Sequence, residues 1–151
     1  MAERTAAISL KEITKENLRA IFNLKVGPEQ ERLVASNAIS IAQAYFDRDI
    51  AWFRGIYADE TPVGFVMVHD EPAERKYYLW RFMIDHQYQT LGYGTRALNQ
   101  VIEYVRQRPG AHEFLTSVVP GDGCPGAFYE KLGFAYTGEM DAGERVMRKA
   151  L

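Results

Sequence analysis

The sequence predicts a mixed α/β domain in which helices interrupt and flank a mostly antiparallel sheet. Three features carry that reading. Apolar runs of strand length, rich in aromatic and branched residues, cluster at 51–57, 62–69 and 77–84. The hydrophobic period changes to three-and-four spacing after Asp85, and strand-like segments return beyond Pro109–Gly110. At 151 residues, 47% of them hydrophobic, the chain is long enough for one domain with a core and too short for two. A single domain over 1–151 is expected.

The elements follow in order. Residues 7–13 read as a short strand running into Thr14, which is expected to cap a helix whose Leu18, Ile21 and Phe22 fall at helical spacing. Gly27–Pro28 breaks that helix, and after Asn37 a second one places Ile39, Ala42 and Phe46 on one face. Two strands joined at 58–61 form a hairpin, and 77–84 adds a third. Ala97, Leu98, Val101, Ile102 and Val105 then mark an amphipathic helix that stops before Pro109. A strand at 113–119, a short helix at 125–132 closed by Gly133, and a final hairpin to Met147 complete the chain.

Composition excludes several classes. No apolar run approaches the ~20 residues needed to cross a bilayer, and the first residues lack the basic-then-apolar order of a secretion signal. No membrane partner and a cytoplasmic location are therefore expected. A net charge of -2 gives no basic face for nucleic acid. The single cysteine, Cys124, permits no intrachain disulfide and reads as an ordinary loop thiol. His69, His86 and His112 follow no ligand spacing, so no metal is expected.

Chemistry concentrates in 79–98, LWRFMIDHQYQTLGYGTRAL, where a strand delivers the chain into Gln89–Gly94 and then a helix. Gly92 and Gly94 allow a tight turn, so that backbone N–H groups can converge on a phosphate at the helix's positive end. The third glycine of a dinucleotide-binding turn is replaced by Ala97, and no acidic residue on a following strand completes that motif.

Gln89, Gly92 and Gly94 match the Q/R-x-x-G-x-G/A motif, and AFYEKLGF at 127–134 is similar to the second signature, of the GNAT superfamily of acetyl-CoA-dependent N-acetyltransferases. The resemblance runs from Leu10 to the C-terminus. Val63-Gly64-Phe65, Arg81-Phe82, Ile84-Asp85, Tyr88-Gln89, Thr137-Gly138-Glu139 and Val146-Met147 are similar to bacterial polyamine and diamine N-acetyltransferases. It implies the GNAT fold, with six to seven strands and about four helices, acetyl-CoA as donor substrate, a small-molecule amine as acceptor, and, by analogy, a homodimer.

The resemblance also implies roles. The strand end Met83–Ile84–Asp85 faces the pantetheine arm and supplies the oxyanion donor near Met83 or Ile84, while Thr90, Leu91, Gly92, Tyr93, Gly94 and Thr95 hold the pyrophosphate. Tyr129 stands where these enzymes place the phenol that returns a proton to the CoA thiolate. Two positions depart from the pattern. Trp80 replaces an acidic residue common in polyamine acetyltransferases, leaving a water chain or a carboxylate among Glu29, Asp70, Glu71 and Asp85 as base, with Glu29 the named candidate. Trp80 itself is either a wall for the acceptor or a core residue. The loop at 120–126 lacks the usual asparagine, and Asp122 is expected there as a helix cap on the cofactor side. Other acceptors, such as an antibiotic, an amino acid or a protein amine, and a catalytically silent CoA-binding module remain alternatives.

Overall fold

The computed structural model describes residues 3–151. Seven strands form one sheet in the order β1-β2-β3-β4-β5-β7-β6. They span Ile8–Lys11 (β1), Ala51–Ala58 (β2), Thr61–Glu71 (β3), Lys76–Ile84 (β4), Glu113–Val118 (β5), Ala135–Asp141 (β6) and Glu144–Ala150 (β7). Four α-helices accompany them: α1 (Leu18–Phe22), α2 (Asn37–Phe46), α3 (Tyr93–Arg106) and α4 (Gly126–Lys131). Every neighbouring pair is antiparallel except β4 and β5, which run parallel with a single register pair, Tyr78 with Leu115. This is the mixed, mostly antiparallel sheet that the sequence predicts.

Two apolar layers cover the two faces of the sheet. On one, α3 packs against β1 and β4 and buries Leu98, Val101, Ile102 and Val105. At roughly 1.5–3 kcal/mol for each large aliphatic side chain buried, that stripe outweighs any difference in helix propensity and fixes which face turns inward. Gln100 ties the outer side to β1 by donating to the Ile8 carbonyl at 2.8 Å. On the opposite face, Ile21, Ala44, Tyr57, Phe65, Met67 and Met83 form the second layer under α1 and α2.

One helix reading is corrected. Thr14 does not cap α1; Asn17 occupies that position without a side-chain cap bond, and its Oδ1 accepts from the Thr14 amide at 2.7 Å. In α2 the inward residues are Asn37, Ser40 and Ala44, while Ile39, Tyr45 and Phe46 are exposed. A hydrogen bond accompanies this orientation. Asn37 Nδ2 donates to the Ile21 carbonyl at 2.9 Å, a second bond to an oxygen at the C-terminal end of α1 that also accepts from the Leu24 amide at 3.3 Å.

Candidate active site

Beyond Tyr78 and Leu115, β4 and β5 part. The last tie is Thr116, whose Oγ1 donates to the Leu79 carbonyl at 3.4 Å. Parallel strands need a long crossover, here through α3, and their separation leaves an opening inside the sheet. A cleft of about 1170 Å³ occupies it, running from the N-terminus of α3 through the opening to the β6–β7 hairpin. That is slightly more than the ~300–1,000 Å³ of sites for compact ligands.

A bulge shapes the β4 wall. Met67 pairs with Arg81 and Val68 with Leu79, so Trp80 has no partner on β3. Trp80 lines the cleft and packs against the second core layer. Past Tyr78 the inner edge of β4 has no strand beside it, which leaves alternate backbone amides free to meet a ligand carbonyl.

At one end, α3 begins at Gly92 in the left-handed region, φ 84°, after Thr90 at φ 67°. The first bond of the helix runs from the Arg96 amide to the Gly92 carbonyl at 3.3 Å, so the amides before Arg96 lack helical partners. Thr90, Gly92, Tyr93, Gly94 and Thr95 all line the cleft. An ideal Cβ at Gly92 would meet nothing within 4 Å, whereas one at Gly94 would touch the Phe128 ring at 3.4 Å. Open space, free amides, a helix dipole and the cleft-lining cations Arg4 and Arg32 suit a pyrophosphate.

Three members of the motif act on the loop itself. Gln89 Nε2 donates to the Ile84 carbonyl at 3.0 Å and to Gln30 Oε1 at 2.9 Å, stapling the turn to the segment after α1. Tyr93 is buried, its hydroxyl bonded to the Glu3 carbonyl. Leu91 packs against the main core and stays outside the lining.

Tyr129 forms part of the β5 side. Its ring is held by Phe128 and Phe134, with centroids 5.3 and 5.6 Å away, and its carbonyl accepts from the Leu132 and Phe134 amides at 3.0 and 3.1 Å. Burial pushes the phenol well above its ordinary pKa, and hydrogen bonding with Thr116 offsets this only in part. The hydroxyl therefore keeps its proton at neutral pH, and the residue lines the cleft.

The carboxylates distribute differently from the sequence expectation. Asp85 is buried and capped: its oxygens accept from the Lys25 amide at 2.8 Å and the Gln87 amide at 2.9 Å, so it pins the loop, while Met83 and Ile84 line the cleft. Asp70 pairs with Arg108 at 3.0 Å and with Tyr104 on the opposite face. Glu29 is exposed, folds back over Gly27 and is not in the lining. Asp122 is exposed as well, and α4 has Pro125 rather than Asp122 as its cap residue; the contribution of Asp122 is its carbonyl, which accepts from Arg32.

Several cleft residues escaped the sequence reading. Asp141 and Glu144 face each other across the last hairpin, and Glu144 accepts from Ser117 Oγ at 2.9 Å. His69, beside Tyr78 in register, lines the cleft with its Nε2 2.6 Å from Glu71 Oε1. No linear motif reports them, because they converge only through strand pairing. Among the described residues no group of three or more His, Cys, Asp or Glu side chains could hold a metal ion.

A parted sheet, a helix N-terminus at one end of the cleft and a buried phenol on its wall make up the candidate site. Comparison with known proteins supplies the class. The Acetyltransferase (GNAT) family model matches residues 8–134, and the chain belongs to that family. The spermine/spermidine N(1)-acetyltransferase of Bacillus subtilis strain 168 is 28% identical over 154 residues, covering 96% of this chain and 99% of its own. Among solved structures, the PaiA N-acetyltransferase of Thermoplasma acidophilum, in complex with coenzyme A, superposes with a TM-score of 0.73 at 18% identity, over 96% of this chain and 99% of that one. A chimera of the Vibrio cholerae spermidine N-acetyltransferase SpeG and hSSAT gives 0.70 at 18% identity, over 95% and 94%. At such identities the structural likeness speaks for the fold.

Proposed function

We propose that this acetyltransferase moves the acetyl group of acetyl-CoA to a primary amine of a polyamine or diamine, by direct attack while both substrates are bound. The observation that carries the reading is the buried Tyr129 side chain, which lines the cleft where β4 and β5 part. In this reading the α3 N-terminus holds the pyrophosphate, and Arg4 and Arg32 add to the attraction. The free edge of β4 aligns the pantetheine arm and offers an amide to the oxyanion, a donor already in place before the reaction. Tyr129 gives its proton to the departing sulfur.

The cationic acceptor is supported from two sides. Glu31, Asp141 and Glu144 line the same cleft as Trp80, so an extended polyammonium chain would meet carboxylates along its length and an indole beside it. The Bacillus relative is named for spermine and spermidine. Thiol release from acetyl-CoA with spermidine, spermine, putrescine, lysine, aminoglycosides and a lysine peptide tests the reading. Turnover confined to the polyamines, with KM raised about tenfold in Glu144→Gln, is the expected result; preference for the peptide or an aminoglycoside would overturn the assignment.

A further inference from the structure

Acetyl transfer to an alkylamine requires a proton acceptor, because such an amine is an ammonium ion near neutral pH. Trp80 lines the cleft, but an indole accepts no proton. Asp70 and Asp85 are committed to the contacts described above, and Glu29 lies outside the cleft. Among the cleft-lining side chains that can accept a proton, His69 is the one on the strand next to Trp80.

Resting on the amine-acceptor reading, we propose that His69 is the general base of this enzyme and that Glu71 is its positioning residue. His69 belongs to β3, next to the strand that bears Trp80, and pairs in register with Tyr78, the β4 residue at which the sheet begins to part. Its side chain lines the cleft together with Trp80, Arg81 and Ser117. It lies two strand spacings, ~10 Å, across the sheet from β5, and it lines the same cleft as Tyr129.

The tautomer follows from chemistry. An ionised carboxylate only accepts hydrogen bonds, so the 2.6 Å contact with Glu71 Oε1 places the ring proton on Nε2 and leaves the Nδ1 lone pair open. Both side chains are half-buried, with 19% and 30% of their surface exposed, which limits ring rotation and keeps the pair oriented. Imidazole as a class, at a pKa of ~6.5, is nearer to neutrality than a carboxylate at ~4.3, and is the better match for removing a proton from an ammonium ion. Glu144, already accepting from Ser117, suits the role of binding positive charge.

The proton inventory closes. Nδ1 of His69, directly or through one water, takes a proton from the ammonium ion. The freed nitrogen lone pair forms the N–C bond at the thioester carbonyl; the C–S bond then breaks, its electron pair leaves on sulfur, and Tyr129 protonates that sulfur. The surplus proton on the new amide nitrogen returns to Tyr129, and His69 passes its own to solvent, so each turnover releases one proton.

The test measures spermidine acetylation by the full-length protein and by His69→Ala and Glu71→Gln, with acetyl-CoA binding followed by calorimetry to show that each variant is folded. His69→Ala is expected to lose about 10²–10³-fold in kcat while KM for acetyl-CoA stays within twofold, and added imidazole is expected to restore part of the rate. Glu71→Gln should lose about tenfold in kcat with the same unchanged KM. Activity within threefold of wild type in His69→Ala overturns the proposal, as does a loss that imidazole does not relieve or that is matched by weaker acetyl-CoA binding. Failure of the underlying reading shows earlier and separately: wild-type protein that binds acetyl-CoA but acetylates no amine removes the acceptor class and its base together.

Discussion

Tyr78 and Leu115 form the single register pair between the parallel strands β4 and β5, and the sheet opens immediately beyond them. Everything the site does depends on that parting. The inner edge of β4 becomes available to the donor's arm, Tyr129 reaches the gap from the β5 side, and the first turn of α3 closes one end.

Replacement of Tyr129 by Phe removes one hydroxyl from a ring that Phe128 and Phe134 continue to hold. The fold should persist, with a melting temperature within a few degrees of wild type, while kcat falls about 10²–10⁴-fold and KM for acetyl-CoA changes little. Steady-state kinetics with calorimetry decide the matter; unchanged kcat would remove the phenol from the mechanism.

Gly92→Ala combines a backbone effect with a site effect. A side chain at φ 84° costs roughly 1–2 kcal/mol, and the new methyl projects into open space, where nothing in the protein stands within 4 Å. Gly138→Ala, at φ 88° and likewise in open space, serves as the control for the backbone part. Both variants should lose similar stability, but only Gly92→Ala should weaken CoA binding, by about tenfold or more in a calorimetric titration. Equal affinity in the two would mean that Gly92 serves the turn alone.

Gly64 permits β3 and β4 to approach. A Cβ there would run into the Met83 carbonyl oxygen, a backbone atom that cannot swing aside as a side chain would. Gly64→Ala should cost about 1–3 kcal/mol, or roughly 3–10 °C in melting temperature for a chain of this size. By pushing on the end of β4 it should also raise KM for acetyl-CoA. A thermal scan showing no loss would contradict the close approach.

Alkaline pH should destabilise the protein through its tyrosines. Burial raises the phenols of Tyr77, Tyr93, Tyr104 and Tyr129 above their ordinary pKa of 10.0. Above pH 10 the unfolded chain therefore releases these protons first, binds fewer than the native state, and is favoured as pH rises. Their contribution is constant below about pH 9. Urea midpoints should be insensitive to these groups near neutrality and fall steadily between pH 10 and 11; a midpoint that holds or rises there would refute the burial argument.

Much of this architecture was readable because it is local. The stripe Ala97, Leu98, Val101, Ile102 and Val105 specifies α3 and its buried face by spacing alone, and Gly92 marks where the helix must begin. Periodicity puts Ile39, Ala42 and Phe46 of α2 on one face without saying which way it turns; the hydrogen bond from Asn37 to α1 accompanies the opposite, more polar face inward. The site divides in the same way. Gly92, Gly94 and Tyr129 sit in contiguous motifs, whereas His69, Ser117 and Glu144 come from three strands whose pairing is decided by the sheet as a whole. The bulge at Trp80 is equally silent, being a mismatch in register between two strands rather than a property of either.

A sheet that parts in its middle has four rims instead of two. The outer pair, on β1 and β6, is the common hazard of open sheets, where unpaired backbone invites strands from other molecules. The inner pair is shielded by its own narrowness: Phe128 leans across the gap onto Phe82, with ring centroids 6.0 Å apart, and an intruding strand finds no flat lane to enter. A slender chain with amide groups of its own can still thread between the rims and complete the ladder. In that sense the opening selects by outline before it selects by chemistry, excluding whatever is as broad and flat as a sheet edge.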